Sequence, residues 1–353
     1  MDREKLKAKV QTVLGLVGAE KLGITLTHEH FLIDMTALVY IPDAPGEKAL
    51  AYQPVTIENL SWVRHNMYSN LDNNRLLDEE LAIKEAMLFK KAGGTTIVDV
   101  TNDNIGRDPA ALVRISQATG LNVIMGSGYY VGEVQGRDFD SKSEEEVAEE
   151  IVRDITVGVD NTGIRSGIIG EIGCSWPLQD RERKTLRASA RAQQRTGAAI
   201  TIHTGHSNGL KEPLMEIIGV LDGAGADIGR IIMGHLDCEI YPLEVILELA
   251  KTGCYIQYDR WGDTTLRPVY LGIYDKPSDM QRLHQIMGLI DKGHLNQILM
   301  SQDICIKTEM VAYGGCGCHH ILRNVVPQML ARGISNDEID TILVDNPKCL
   351  LQF

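Results

Sequence analysis

His28 and His30, in GITLTHEHFLID (residues 23–34), stand one residue apart at the end of an apolar, β-branched run. In a strand, side chains alternate between faces, so Ile24, Leu26, His28 and His30 share one face and Thr25, Thr27 and Glu29 the other. Two imidazoles after two apolar residues on one face suit a strand that leaves a packed core and ends at a metal site. Four other runs end in the same manner. Glu171 closes SGIIGEIG (166–173) on the face of Ile169, and His203 closes AAITIHTG (198–205) after Ala199 and Thr201. His235 closes RIIMGHLD (230–237) after Ile231 and Met233, and Asp303 closes NQILMSQD (296–303) after Leu299 and Ser301.

Four histidines and two carboxylates at the ends of five strands are too many for one tetrahedral ion. They suit two divalent ions about 3.5–4 Å apart sharing a carboxylate. The expected division puts His28, His30 and Asp303 on the first ion and His203 and His235 on the second, with Glu171 bridging. A hydroxide held between the ions would be the nucleophile, because two Lewis acids acidify its parent water. Asp303 would accept its proton and pass it to the leaving group. Imidazole and carboxylate make zinc the expected metal, with manganese, cobalt and iron as alternatives.

Five such ends must be held at one level, and the chain supplies the means. Eight strand-like runs, the five above plus GTTIVDVT (94–101), LNVIMGSG (121–128) and GCYIQYD (253–259), alternate with amphipathic segments. One of these, DEELAIKEAMLFKKAGG, opens with acids and closes with Lys-Lys and Gly as a capped helix does. Eight alternations without a break in composition indicate one (β/α)8 TIM barrel over residues 1–353, with the site at the C-terminal ends of its strands. A doubly wound open sheet is the second choice, and it lacks its Gly-rich phosphate fingerprint here. The connections 34–77, 260–277 and 304–318 are too long for plain turns and are read as functional loops or lids.

The balance of 35 Lys and Arg against 48 Asp and Glu gives a net charge of −13, which argues against a nucleic-acid surface. A small substrate remains compatible, even an anionic one, since bound divalent ions reverse the local field. The opening MDREKLKAKV lacks the apolar core of a signal peptide, and no apolar run approaches the ~20 residues that span a bilayer. Seven scattered cysteines read as reduced thiols. A cytoplasmic protein without membrane or nucleic-acid partners is expected.

The stretches TLTHEH, GIIGEIGCSWPL, IHTG, MGHLD, SQDI and YGGCGCHHI resemble the phosphotriesterase family of the amidohydrolase superfamily, and GIIGEIGCSWPL is especially close to its phosphotriesterase-related subgroup. The resemblance runs from residue 12 to the C-terminus and carries the family's ligand positions onto His28, His30, Glu171, His203, His235 and Asp303. Phosphotriesterases and related lactonases bridge their metals with a carboxylated lysine, where this chain has Glu171. After strand 7 phosphotriesterases carry a relay histidine, where YDRWGD places Arg260, more as in the lactonases. The subgroup resemblance implies hydrolysis of a small N-acyl amide, of the N-acetyltaurine or N-acyl amino acid type, by a homodimer. A lactonase or carboxylesterase with at most promiscuous phosphotriesterase activity is the alternative. A metal-dependent nuclease and a non-catalytic small-molecule binding protein are more distant ones.

Further residues have candidate roles. Arg260 and Trp261 head the strand-7 loop, which is expected to overhang the metals, and the planar fork of Arg260 suits a carboxylate or sulfonate; pairing with Asp259 or Asp263 to brace the loop is the structural alternative. Tyr130, in GSGYYVG, is placed to stabilise an oxyanion. His206 is a loop or substrate residue, and Asp237 a buttress for a ligand. The 313–321 segment is read as a hinged lid rather than a separate zinc site. His65, His284 and His294 are read as surface residues.

Overall fold

The eight β-branched runs form eight parallel strands in the computed structural model, which describes residues 7–263 and 275–353. They are β1 (Thr25–Glu29), β2 (Thr96–Asp99), β3 (Asn122–Ser127), β4 (Ile168–Gly173), β5 (Ile200–His203), β6 (Ile231–Met233), β7 (Tyr255–Tyr258) and β8 (Ile298–Met300). Each pairs with the next in parallel register, and helices lie between them. The ring is nearly closed: His28 N donates to Ser301 Oγ (3.0 Å) and Asp303 N to His28 O (3.2 Å), joining β1 to the end of β8. The order 1 to 8 around one ring excludes the doubly wound sheet.

The helices follow their end signals. Glu79–Lys91 starts at Asp78, whose side chain accepts Leu81 N, and carries Glu79 and Glu80 in its first turn and Lys90 and Lys91 in its last. Glu144–Thr156 opens on a Ser143/Glu146 capping box. Among the described residues no helix is long and apolar enough to cross a membrane.

Apolar side chains divide into two clusters. The larger lies between strands and helices; the smaller takes Val98, Val100, Ile124, Ile168, Ala199, Ile232, Tyr255 and Leu299 from the strands or the residues adjoining them and fills the barrel interior. The hairpin Lys9–Thr12/Gly15–Gly18 supplies Val10 to that interior cluster, and Ala19, Leu22, Leu350 and Leu351 join it. Together they plug the N-terminal end of the barrel, where Phe353 N donates to Lys9 O (3.0 Å).

This division corrects the sequence-based assignment of faces. Ala199 and Leu299 point inward, as β5 and β8 were expected to place them. Leu26, Ile169, Ile231 and Met233 instead pack outward against the helices, while Ile168 and Ile232 point in, and Thr27 Oγ1 donates to Gln257 Oε1 inside the barrel (2.6 Å). His28, Glu171 and His235 nevertheless reach the mouth, because the backbone breaks strict alternation just before each. Pairing shifts between Leu26 and Glu29 and between Ile169 and Ile172, and His235 has φ +58°. An extra residue or a left-handed step exchanges the faces beyond it.

Gly170 makes one of these breaks possible. Its φ is +118°, and a Cβ there would lie 2.4 Å from Thr201 O and 2.7 Å from Thr201 Cγ2. Gly170→Ala is expected to cost about 2–4 kcal/mol, from backbone strain plus overlap with β5. Denaturant unfolding of the two proteins checks this; a loss below about 0.5 kcal/mol would show that the backbone relaxes there.

Candidate metal centre

Glu171, 2% exposed, stands at the middle of the barrel mouth with imidazoles on several sides. Its Oε1 is 2.7 Å from His203 Nδ1, 2.8 Å from His235 Nε2 and 3.4 Å from His28 Nε2, and its Oε2 is 3.8 Å from His30 Nε2. Asp303 Oδ1 lies 3.2 Å from His30 Nε2 and 3.7 Å from His28 Nε2. All six sequence-predicted ligands therefore meet in one place.

Two sets of ligand atoms, His28/His30/Glu171 and Glu171/His203/His235, each lie within 4.8 Å of one another and share only Glu171. His28 Nε2 is buried and has no hydrogen-bond partner. A buried nitrogen left unsatisfied is costly unless something occupies its lone pair. Imidazoles and carboxylates aimed at one another around that nitrogen form a donor set that fits a divalent cation.

Surrounding residues fix the ring orientations. His30 Nδ1 meets Thr101 Oγ1 (2.7 Å), Gln257 Nε2 lies 3.2 Å from His28 Nδ1, and Asp259 Oδ1 lies 2.8 Å from His235 Nδ1. A carboxylate behind a histidine holds its other nitrogen toward the ion. His235 and Asp303 both have left-handed backbones, with φ +58° and +46°, an arrangement found where surrounding contacts over-determine a functional residue.

The electrostatics follow. Burial alone would raise the Glu171 carboxyl, but His203, His28 and His235 outweigh it and hold it well below the ordinary range. Burial likewise opposes ionisation of Asp303, and Arg260 with the neighbouring imidazoles overcomes it, leaving the carboxylate ionised. Burial pushes Glu309 up to about 7 against the pull of Arg260.

Arg260 is 3% exposed; both its terminal nitrogens are engaged, while its Nε is buried without a hydrogen-bond partner. Its Nη1 donates to Asp303 Oδ2 (2.7 Å) and Asp303 O (2.8 Å), and its Nη2 to Asp263 Oδ2 (3.2 Å) and to Glu309. The structural alternative of a brace to Asp263 thus holds, and Arg260 also grips Asp303. Trp261 does not overhang the site: it is buried, and its Nε1 donates to Tyr258 O (3.1 Å). Tyr130 OH lies 3.3 Å from His203 Nδ1. Asp237 supports a ligand only at one remove, accepting Asp259 N and Arg260 N (2.9 Å each) and Arg282 Nε (2.7 Å).

Asp259 escaped the sequence reading as a site residue. With His28 and His235 it forms a third cluster of ligand atoms within 4.8 Å. The signal was present, since Asp259 ends the strand-7 run just as the other acids and histidines end theirs.

A cavity of about 370 Å³ opens over these residues. The loop after β1 gives it Ile33, Met35, Leu38 and Tyr68, the loops after β4 and β5 give Ser175, Trp176 and His206, and Cys305 comes from the loop after β8. Long connections 34–77 and 304–318 thus reach the site; residues 264–274 of the third lie outside the described residues. The 313–321 segment does not line this cavity. Its Gly317 O accepts from Gln302 Nε2 and its His320 Nε2 meets Asp279 Oδ2 (2.7 Å), so it packs behind β8 instead of covering the mouth.

A profile of the phosphotriesterase family matches residues 8–351. The chain is 42% identical over 349 residues to N-acetyltaurine hydrolase of Homo sapiens, covering 99% of each chain. It is 42% identical to the protein of the same name from Dictyostelium discoideum, covering 97% of each. Among solved structures, a resiniferatoxin-binding protein from Rhodobacter sphaeroides superposes with a TM-score of 0.94 at 33% identity, over 98% of this chain and 95% of that one.

Proposed function

The chain belongs to the phosphotriesterase family and is a metal-dependent hydrolase, and from that premise we propose that it cleaves the C–N bond of a small N-acyl amide of the N-acetyltaurine or N-acyl amino acid type. The observation that carries the metal chemistry is Glu171, which joins the ligand set His28/His30/Glu171 to the set Glu171/His203/His235. The full-length likeness to N-acetyltaurine hydrolases supports the amide.

In this reading His28, His30, Asp303, His203, His235 and Glu171 hold two divalent ions, zinc by their donor types. When bound, the ions supply Lewis-acid activation of water and of the scissile carbonyl. Asp303 takes the proton from the attacking water as the new C–O bond forms. It returns that proton to nitrogen as the C–N bond breaks, giving a carboxylic acid and an amine. Arg260 holds Asp303 in place, and Tyr130 donates its hydroxyl toward the oxygen that gains charge. The whole of residues 1–353 acts as one catalytic unit, in a cytoplasmic homodimer.

Lactone hydrolysis is the second reading, favoured by the apolar wall of Ile33, Met35, Leu38 and Tyr68. Protein purified without chelators, assayed for metal content and for turnover of N-acetyltaurine, N-acetyl amino acids, acyl lactones and paraoxon, separates the two. We expect about two ions per chain and amide turnover well above the rest. Turnover of lactones alone would transfer the assignment, and one ion or none with no turnover would overturn it.

A further inference from the structure

β8 ends at Met300, short of Asp303, so the proposed proton carrier lies beyond the regular ladder of the sheet. Its backbone is held by the two neighbouring strands in turn. Ser301 N still serves β7, donating to Tyr258 O (3.0 Å). The next three amides turn to β1. Gln302 N donates to Glu29 Oε1 (2.7 Å), Asp303 N to His28 O (3.2 Å) and Ile304 N to Glu29 Oε2 (3.1 Å). One carboxylate therefore straddles Asp303, taking the N–H on either side of it.

Glu29 stands between His28 and His30 in the chain, yet its side chain turns to the seam between β1 and β8 while the two imidazoles face the mouth. It is 2% exposed, and both its oxygens are spent on the end of β8. Ser301 Oγ adds to the seam, lying 2.7 Å from Glu29 Oε1 and 2.8 Å from His28 O with one proton for the two. Beyond the seam, Gln302 Nε2 donates to Gly317 O and Gln302 Oε1 accepts Ile321 N (3.4 Å), which anchors the same segment from behind.

Asp303 needs this support. Its φ of +46° is a conformation that a residue with a side chain keeps only where its surroundings impose it. Arg260 Nη1 grips Asp303 Oδ2 (2.7 Å), but a contact on one oxygen does not aim the other. Asp303 Oδ1, 3.2 Å from His30 Nε2, points where the backbone directs it. Asp99 and Asp237 show the same use of an acid at a strand end: Asp99 accepts Phe31 N (2.8 Å), and Asp237 accepts Asp259 N and Arg260 N (2.9 Å each). Glu29 differs in serving both neighbours of a group assigned to proton transfer. A base works only within reach of its proton, and a displacement of about 1 Å costs on the order of a hundredfold.

Resting on the reading of Asp303 as proton carrier, we propose that Glu29 is the positioning residue of that base: by holding the amides of Gln302 and Ile304 it aims Asp303 into the site, and it touches neither metal nor substrate.

Glu29→Gln keeps the length of the side chain but leaves one oxygen for two amides. On the metal-loaded enzyme with N-acetyltaurine it should lower kcat about ten- to a hundredfold, while KM and metal content stay within about twofold. Glu29→Asp, which keeps both oxygens on a shorter stem, should recover part of the loss and serves if the glutamine variant does not fold. The deciding readout is the double variant. Asp303→Asn leaves no proton carrier to aim, so adding Glu29→Gln to it should lower kcat by no more than about twofold further. A residue that merely stabilises the fold would cost the same factor in both backgrounds. Losses that multiply in the double variant would overturn the inference. So would a fall in kcat that tracks lost metal, which would assign Glu29 to its neighbours His28 and His30. Full activity in Glu29→Gln beside a large loss in Asp303→Asn would overturn the inference alone. Loss in Asp303→Asn only in proportion to lost metal would overturn the proton role of Asp303 and the inference with it. Wild-type enzyme inactive on N-acetyltaurine but active on an acyl lactone would overturn the amide reading, and the same comparison on the lactone then decides the inference, because Glu29 does not touch the substrate. Enzyme that cleaves neither would overturn both.

Discussion

Glu171→Gln is expected to abolish turnover, by about a thousandfold or more, and to lower the metal content of the purified protein together with it. The amide keeps the volume of the side chain and removes its charge. Four imidazoles then face a neutral group: His203 at 2.7 Å, His235 at 2.8 Å, His28 at 3.4 Å and His30 at 3.8 Å from the carboxylate oxygens. Because Glu171 alone is common to both main ligand sets, its loss weakens both positions at once, whereas loss of His203 or His30 touches one. Metal analysis and kinetics on the same preparation check this. Full metal content with activity within tenfold of wild type would remove Glu171 from the centre of the mechanism.

Asp303→Asn is expected to separate binding from chemistry. An asparagine still accepts from Arg260, so the loop after β8 should hold its place, yet it takes no proton from water. A fall in kcat of about 10²–10⁴-fold with little change in KM is the expected result, the usual worth of a general base. Retention of most of the metal should accompany it, since His28, His30 and Glu171 remain. The decisive comparison is kcat against metal content: if activity falls only in proportion to lost metal, Asp303 is a ligand and not a proton carrier.

Much of this was legible in the sequence because barrels place chemistry at strand ends, and strand ends are marked by abrupt changes from apolar to polar residues. His203 sits where simple alternation puts it, on the face of Ala199, and Asp303 reaches the mouth above inward-facing Leu299 with a left-handed backbone of its own. His28, Glu171 and His235 reach the site for a reason that alternation cannot supply. The pairing shifts in β1 and β4 and the left-handed backbone of His235 exchange faces one step below each ligand. Periodicity reports the face of a regular strand; it is silent about a bulge, which depends on neighbours across the sheet. Asp259 was missed for a related reason. It adjoins Arg260, whose charge suggested a pair bracing the loop, but its partner is His235 at the end of the adjacent strand, distant in sequence. Trp261 turned inward because its apolar area gains more in the core than at a wet mouth.

The plug at the far end of the barrel bears on traffic. Val10, Leu22, Leu350 and Leu351 close the floor over an interior already filled by Val98, Ile124, Ile168 and Leu299, so among the described residues no passage runs through the barrel. Substrate enters and both fragments leave by the same doorway. The product fragments must clear the space between the loops after β1 and β5 before the next substrate can enter it. Each turnover therefore ends with departures through one opening before the next arrival, and the loops after β1 and β5 that rim that opening bear on the pace of exchange.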